Sequence, residues 1–257
     1  MSEPYLSFDR VTKKFGAIDV VAPTNLTVEQ RSFVVFLGPS GCGKTTLMRM
    51  VGGLDHPSTG TIKLAGTTIT TPDRRRGMVF QSYSSFPWQT VKENIAFGMR
   101  YRNDISADEK TKRCRHYMKL VGLEDFAEAY PSRISGGMRQ RVAIARSLAA
   151  GSEILLMDEP FGALDALTRE RLQVQIREIQ SREHKTIIFV THDVEEAVFL
   201  ADRIVLFSRR PASIVADIDV KSMLGDDRNL EIRETQKFFD LRNQVLHLIR
   251  NETGNAL

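Results

Sequence analysis

Eight residues, Gly38-Pro39-Ser40-Gly41-Cys42-Gly43-Lys44-Thr45, place three glycines, an amine and a hydroxyl in the spacing G-x-x-x-x-G-K-[ST]. Glycines let a backbone curl until its N–H groups converge on a polyphosphate, and a helix behind adds the positive end of its dipole. Lys44 is expected to reach the β- and γ-phosphates, and the Thr45 hydroxyl to ligate Mg²⁺, a hard cation that takes oxygen ligands. Thr46, opening the helix behind the loop, joins these eight as a cofactor-binding candidate, and Cys42 serves by being small. A glycine-rich turn is the bland alternative. The flanks argue against it: the apolar run Phe33-Val34-Val35-Phe36-Leu37 precedes the loop and the helix-like Thr46-Leu47-Met48-Arg49-Met50 follows, the strand–loop–helix setting that such a loop requires. The loop indicates a nucleoside triphosphate and leaves open what the energy is for.

Two further constellations bear on the same phosphate. Ile154-Leu155-Leu156-Met157-Asp158-Glu159-Pro160 reads as a buried strand ending in adjacent carboxylates. Successive strand residues face opposite ways, but a chain that turns at the strand end brings both acids toward the γ-phosphate region. Asp158 is then expected to hold Mg²⁺, directly or through water, and Glu159 to polarise the attacking water as general base; a solvated acidic pair is the alternative. Ile134-Ser135-Gly136-Gly137-Met138-Arg139-Gln140-Arg141 stands immediately before the helical Val142-Ala143-Ile144-Ala145-Arg146. Ser135, Gly136 and Gly137 at a helix start form a second anion nest, with backbone N–H groups and one hydroxyl for a γ-phosphate. An ordinary N-capped helix is the alternative for this motif in isolation, and one ATP does not need two nests from one chain.

The elements that must position these residues follow from hydrophobic patterning. β-rich stretches at Leu6–Val11, Asn25–Val28, Phe33–Leu37, Thr61–Leu64 and Gly77–Phe80 surround the phosphate loop. From about Thr90 to Ala150 the spacing becomes helical, with Asp104-Ile105-Ser106-Ala107-Asp108-Glu109 supplying a cap and acidic first turn before Cys114, Met118 and Val121. Strands at Ile154–Met157, Thr186–Val190 and Arg203–Phe207 then alternate with helices at Leu164–Arg182 and Val194–Ala201, as in a parallel sheet. The 257 residues, 42% apolar and 26% charged, suit a single α/β nucleotide-binding core carrying a helical insertion. A net charge of +4 is a mild excess. No apolar run approaches the ~20 residues that span a bilayer, and Met1-Ser2-Glu3-Pro4 lacks a signal-peptide layout. Cys42 and Cys114 have no metal-ligand spacing and read as reduced thiols of a cytosolic chain.

The strand ending at Asp158-Glu159 resembles a Walker B strand, and Ile134–Arg141 resembles the signature motif of ATP-binding cassette (ABC) proteins. That resemblance covers nearly the whole chain and implies an α/β P-loop NTPase cassette: a RecA-like mixed-sheet core with an N-terminal antiparallel β region and an inserted helical subdomain. Its expected bounds are 1–87 and 151–227 for the core, 88–150 for the helical subdomain and 228–257 for a C-terminal helical tail. It also resolves the two nests, because in the family two cassettes pack head to tail and each ATP lies between one subunit's phosphate loop and the other's signature. Phe15 matches the aromatic that stacks on adenine, against the rival reading of a buried core phenylalanine. Gln81 matches the Q-loop residue that touches Mg²⁺ and the attacking water, against a generic loop glutamine. Asp165, in Ala163-Leu164-Asp165, matches the D-loop aspartate that contacts the opposite subunit's site, although it also suits a cap on the following helix. His192, in Thr191-His192-Asp193, matches the switch histidine that contacts the γ-phosphate and orients the catalytic water.

Met138 and Ile134 depart from the commonest signature, where Gln and Leu are usual, without removing the serine or glycines. The signature together with Glu159-Pro160-Phe161-Gly162-Ala163-Leu164-Asp165-Ala166-Leu167-Thr168-Arg169 looks most like ATPase subunits of the nitrate/sulfonate/taurine-type importers, and the tail from Arg228 to Arg250 fits that group. In the tail, Phe238, Leu241, Val245 and Leu248 recur at helical spacing, a face for packing on the chain's own domain. The resemblance implies ATP and Mg²⁺ as cofactors and a second copy of the chain or a paralogous cassette as partner. It further implies transmembrane permease subunits, an extracytoplasmic solute-binding protein acting through them, and a peripheral place on the cytoplasmic face of the inner membrane. Ser84-Ser85-Phe86-Pro87-Trp88-Gln89 is a candidate lining for the groove that receives a permease coupling helix, its rings alternatively packing a subdomain boundary. Other transport systems, including export, are alternatives. A soluble nucleic-acid- or ribosome-associated cassette is a more distant one, and no nucleic-acid partner is expected: only about ninety residues separate Lys44 from Ser135, with no room for long coiled coil.

Overall fold

The hairpin at the start of the chain shows how far main-chain pairing can outrun side-chain pattern. In the computed structural model, which describes residues 4–80, 85–162, 164–226 and 228–254, strand β1 (Leu6–Phe15) pairs antiparallel with β2 (Ile18–Val28). Both run beyond the apolar stretches Leu6–Val11 and Asn25–Val28, through Thr12-Lys13-Lys14 and Ile18-Asp19. Register shifts after Phe8, Val11 and Lys13 carry the ladder through a stretch without regular alternation, where Val20 and Val21 are buried side by side. There follow β3 (Phe33–Leu37), α1 (Lys44–Gly52), β4 (Thr59–Leu64) and the short β5 (Thr67–Thr68). The chain continues through β6 (Arg76–Val79), α2 (Val91–Phe97), α3 (Ala107–Leu120), α4 (Gly136–Ala149), β7 (Ile154–Asp158) and α5 (Ala166–Glu183). It ends with β8 (Thr186–Thr191), α6 (Val194–Leu200), β9 (Arg203–Phe207), β10 (Ile214–Asp219), α7 (Val220–Leu224) and α8 (Gln236–Gly254).

These elements form two compact units, residues 1–73 with 180–257 and residues 74–179. In the first unit β2, β1, β4 and β5 make an antiparallel sheet. Leu6, Phe8, Leu26, Val28, Ile62 and Leu64 are among its buried positions, spaced two apart within each strand. The second sheet of this unit is mixed: β3 is flanked by β8 and β9, both parallel to it, and β10 runs antiparallel at the edge of β9. All five residues of β3 and all six of β8 are buried, the continuous apolar run of a strand covered on both faces. Phe33 packs on Phe189 at a ring separation of 5.9 Å, and Phe36 meets Phe207 edge-on at 5.2 Å. Strand β10 was not legible in the sequence because most of its residues are at least partly exposed.

Helix α8 closes this unit. It packs against α6 and α7 with Phe238, Leu241 and Val245 buried and Leu248 half-buried, so the apolar stripe of the tail folds onto its own domain, as expected. Arg233 lies over the Phe199 ring at 4.5 Å.

The second unit joins β6 and β7, a parallel pair running from Arg76↔Ile154 to Val79↔Met157, to a packed trio of helices, α2, α3 and α4. Each helix start is written locally. Thr90 and Glu93 form a reciprocal capping box on α2. Ser106 caps α3 ahead of Asp108 and Glu109, and Ser135 caps α4. Helix α5 begins at Ala166 rather than Leu164 because the Asp165 carboxylate takes the Thr168 N–H at 3.0 Å. The expected α/β cassette, with a mixed sheet, an N-terminal antiparallel β region and a helical segment, is the fold of the chain. Among the described residues no helix is long and apolar enough to cross a membrane.

Candidate nucleotide site

The phosphate loop leaves the C-terminal end of β3 and enters α1. Two of its glycines are required by crowding, since a Cβ on Gly38 would lie 2.6 Å from the Phe207 carbonyl oxygen and one on Gly43 2.9 Å from that of Val20, while Gly41 stands at φ 72°. Lys44, only 4% exposed, folds back into the loop. Its ammonium donates to the carbonyl oxygens of Gly38 at 2.8 Å and Pro39 at 2.7 Å, and lies 3.8 Å from Cys42 Sγ. Cys42 is buried, whereas Ser40, Gly41 and Thr45 are exposed and Thr46 is half-buried. Gly43 accepts the first helical hydrogen bond from Leu47 N at 3.0 Å.

His192 belongs to the same end of the same sheet. Parallel pairing sets Leu37 opposite Thr191, so Gly38 and His192 each stand one residue beyond a register pair. A polar corner holds His192 there, exposed. Thr191 Oγ1 accepts from Asp193 N at 3.0 Å and donates to Glu196 Oε2 at 2.8 Å, while Asp193 caps α6 through Glu195 N and Glu196 N. Glu196, buried at 8% exposure, carries this corner and had no signature of its own in the sequence.

Phe15 ends β1 with 48% of its surface exposed, which disposes of the core-phenylalanine reading and leaves a ring face available. Lys13 Nζ sits 4.8 Å from the ring centroid and donates to the His56 carbonyl at 2.6 Å, so the cation pins the ring. The two-residue strand spacing that puts Lys13 and Phe15 on one face was the signal for it.

The second unit carries the acids and the second nest. Asp158 ends β7 and Glu159 follows in the left-handed region at φ 42°, both half-buried; the chain turns there, with Gly162 N bonded to Glu159 O at 3.2 Å. Ser135 accepts the Met138 N–H on its hydroxyl oxygen at 3.3 Å, a bond that leaves the hydroxyl hydrogen uncommitted. It also uses the main chain of Met138 rather than its side chain, so the departure from Gln costs nothing at the cap. Gly136 is half-buried, and Gly137 is buried against Thr168. Asp165 is exposed, and its carboxyl is held below the usual range chiefly by the Thr168 main-chain N–H; its capping role is thus present in the structure. Gln81 and Ala163 lie outside the described residues, as does Ser84.

Phe86 is built into the helical trio: its ring lies 4.5 Å from Phe97 and 5.7 Å from Trp88, with Arg146 above it at 5.0 Å. Asn94, fully buried, donates to the carbonyls of Phe86, Gln89 and Thr90 and accepts from Phe86 N. The turn is therefore fixed while Trp88 stands 72% exposed.

The family model for the ABC transporter matches residues 21–162. The chain belongs to the ABC transporter family. This cassette is 44% identical over 250 residues to an ATP-binding protein of Brucella abortus, with 97% of this chain and 95% of the relative covered. It is 44% identical over 242 residues to the nitrate import ATP-binding protein NrtD of Synechocystis, with 92% of this chain and 90% of that one covered. A solved structure of a dimeric ATP-binding cassette in a post-hydrolysis state, bound to ADP and Pi, shares 32% identity and a TM-score of 0.72, covering 84% of this chain and 98% of that one. The cassette is an ATPase. The donor chemistry also suits the expected cation: the exposed Thr45 hydroxyl in the first unit and, separately, the Asp158 carboxylate in the second are hard oxygen donors of the kind that Mg²⁺ takes beside phosphates and water.

Proposed function

We propose that this cassette is the ATP-hydrolysing subunit of a membrane importer, closing head to tail with a second copy or a paralogue around two ATP. The observation that carries the reading is the presence of two anion nests on one chain, the Gly38–Thr45 loop and the Ser135-capped start of α4. One nucleotide cannot need both from the same copy. In the closed pair, Lys44 meets the β- and γ-phosphates, with a phosphate oxygen replacing its weak contact to Cys42 sulfur. Phe15 stacks on adenine, and Ser135 and Gly137 reach the partner's γ-phosphate. Thr45, Asp158 and Gln81 are the residues that would hold Mg²⁺, which would neutralise phosphate charge when bound. Glu159 takes the proton from the attacking water, His192 orients that water, and Asp165 contacts the opposite site.

Contacts made only on closure are what allow ATP to drive motion. A ligand shifts a two-state equilibrium by its differential affinity alone, and moving it from 1:99 to 99:1 takes about 5.5 kcal/mol. Ser135 and Gly137, acting across the interface, supply part of that difference. The exposed Trp88 on its Asn94-fixed turn supports a docking surface for a permease coupling helix, and a cassette so docked would lie peripherally on the cytoplasmic membrane face. The name of the NrtD relative specifies nitrate import, and a bicarbonate transport ATP-binding protein of Synechococcus elongatus is 39% identical over 254 residues. Both names support a small anionic solute; its delivery by an extracytoplasmic binding protein belongs to the importer reading.

Light scattering on the Glu159→Gln chain tests the dimer. ATP should convert monomer to dimer, and adding Ser135→Arg should abolish the conversion while ATP binding persists. A chain that stays monomeric with ATP bound, or a dimer indifferent to Ser135→Arg, refutes the head-to-tail arrangement.

A further inference from the structure

The turn between β9 and β10 meets the phosphate loop at each of its three glycines, by close packing at Gly38 and Gly43 and by a hydrogen bond at Gly41. Phe207, where β9 ends, backs Gly38; Ala212 backs Gly43, where a Cβ would lie 3.3 Å from the alanine Cβ; between them Arg210 Nη2 donates to the Gly41 carbonyl oxygen at 2.8 Å. The turn is itself well tied. Ser208 Oγ accepts from Ser213 N at 3.0 Å, and Ser208 N donates to Ser213 O at 2.9 Å. Ala212 exchanges main-chain bonds with Val20 and Ala22, both at 2.9 Å.

We propose that Arg210 is a positioning residue for nucleotide binding, holding the Gly41–Cys42 peptide in the orientation that turns its N–H into the phosphate cradle. In a planar trans peptide the carbonyl and the following N–H point in opposite directions. Anchoring the Gly41 oxygen on the exposed guanidinium therefore directs the Cys42 N–H toward the buried side of the loop, where its contact is a long 3.4 Å bond to the Pro39 carbonyl. That weak bond is readily exchanged for a phosphate oxygen. Gly41 sits at φ 72°, a residue free to let this peptide rotate, so the orientation needs an external hold. The inference rests on the phosphate loop being the ATP site proposed above.

Equilibrium titration of the full chain with ATP and with ADP, alongside steady-state ATPase kinetics, tests it in Arg210→Ala and Arg210→Lys. Arg210→Ala should raise Kd for both nucleotides and KM for ATP about fivefold, the scale of one charge-assisted hydrogen bond at an exposed site, with kcat changing less than KM. Arg210→Lys should recover most of the loss, because a single N–H is in use. Unaltered Kd in Arg210→Ala, with or without a lower nucleotide-free unfolding midpoint, or a lysine variant as impaired as alanine, overturns the assignment. A wild-type chain that binds neither nucleotide overturns the underlying site reading instead.

Discussion

The Lys44 ammonium lies 2.8 Å from the carbonyl oxygen of Gly38, six residues before it in the chain. With a second bond to Pro39 O, the lysine holds the loop closed upon itself, in addition to the phosphate contact proposed for it. Lys44→Ala should therefore have two effects. ATP affinity should fall by more than about tenfold through loss of a charge-assisted contact. The nucleotide-free chain should lose about 1–3 kcal/mol, since the buried Gly38 carbonyl loses its Lys44 donor and Pro39 O keeps only the long bond from Cys42 N. Thermal unfolding with and without ATP reads both: a lower midpoint, and no increase on adding nucleotide.

Glu159 combines a proposed chemical role with a strained backbone. A non-glycine residue in the left-handed region at φ 42° costs about 1 kcal/mol. Glu159→Gln should keep ATP binding and the strain while nearly abolishing hydrolysis, and Glu159→Gly should lose hydrolysis but gain about 1 kcal/mol of stability. Phosphate release and urea unfolding separate the two effects. A near-normal rate in the Gln variant removes Glu159 from the role of base.

The parts of this site that could be read from sequence are those whose cause is local. The phosphate loop announces itself through three glycines between a buried strand and a helix, and Ser135 through its place one residue ahead of α4. By contrast, the alignment of Gly38 with His192 depends on the pairing of Leu37 with Thr191, made across most of the chain. The clasp of Arg210 on Gly41 is equally non-local, as is Glu196 beneath Thr191; neither has a spacing that could reveal it. The extended half of the β1–β2 hairpin and the edge strand β10 escaped for a related reason, since main-chain pairing holds them and their side chains alternate poorly.

Acid titration isolates the capping half of Asp165. Its carboxyl is held below the usual value chiefly by the Thr168 N–H, so its stabilising contribution is present above the unfolded pKa, near 3.9, and is lost as pH falls through the lower folded value. Asp165→Asn keeps an acceptor for the cap but has no charge to titrate. The unfolding midpoint of the wild-type chain should therefore exceed that of the variant at pH 6, and the gap should close below pH ~4. A gap that persists unchanged into acid shows that the carboxylate charge contributes nothing to the helix start.

Gly137 meets two demands that can be separated. A Cβ there would lie 2.5 Å from Thr168 Cγ2, so Gly137→Ala gains about 1 kcal/mol of helix propensity but meets a steric penalty of about 1–3 kcal/mol against α5. Thr168→Ser deletes the obstructing methyl. A double-mutant cycle by urea unfolding should show the single alanine variant destabilised and the pair restored, with a coupling of about 1–2 kcal/mol. If packing against Thr168 were the only reason for glycine, the restored pair would also dimerise with ATP when carried on the Glu159→Gln background. If Gly137 also gives close backbone approach to the partner's γ-phosphate, as proposed, the pair will be stable and still fail to dimerise.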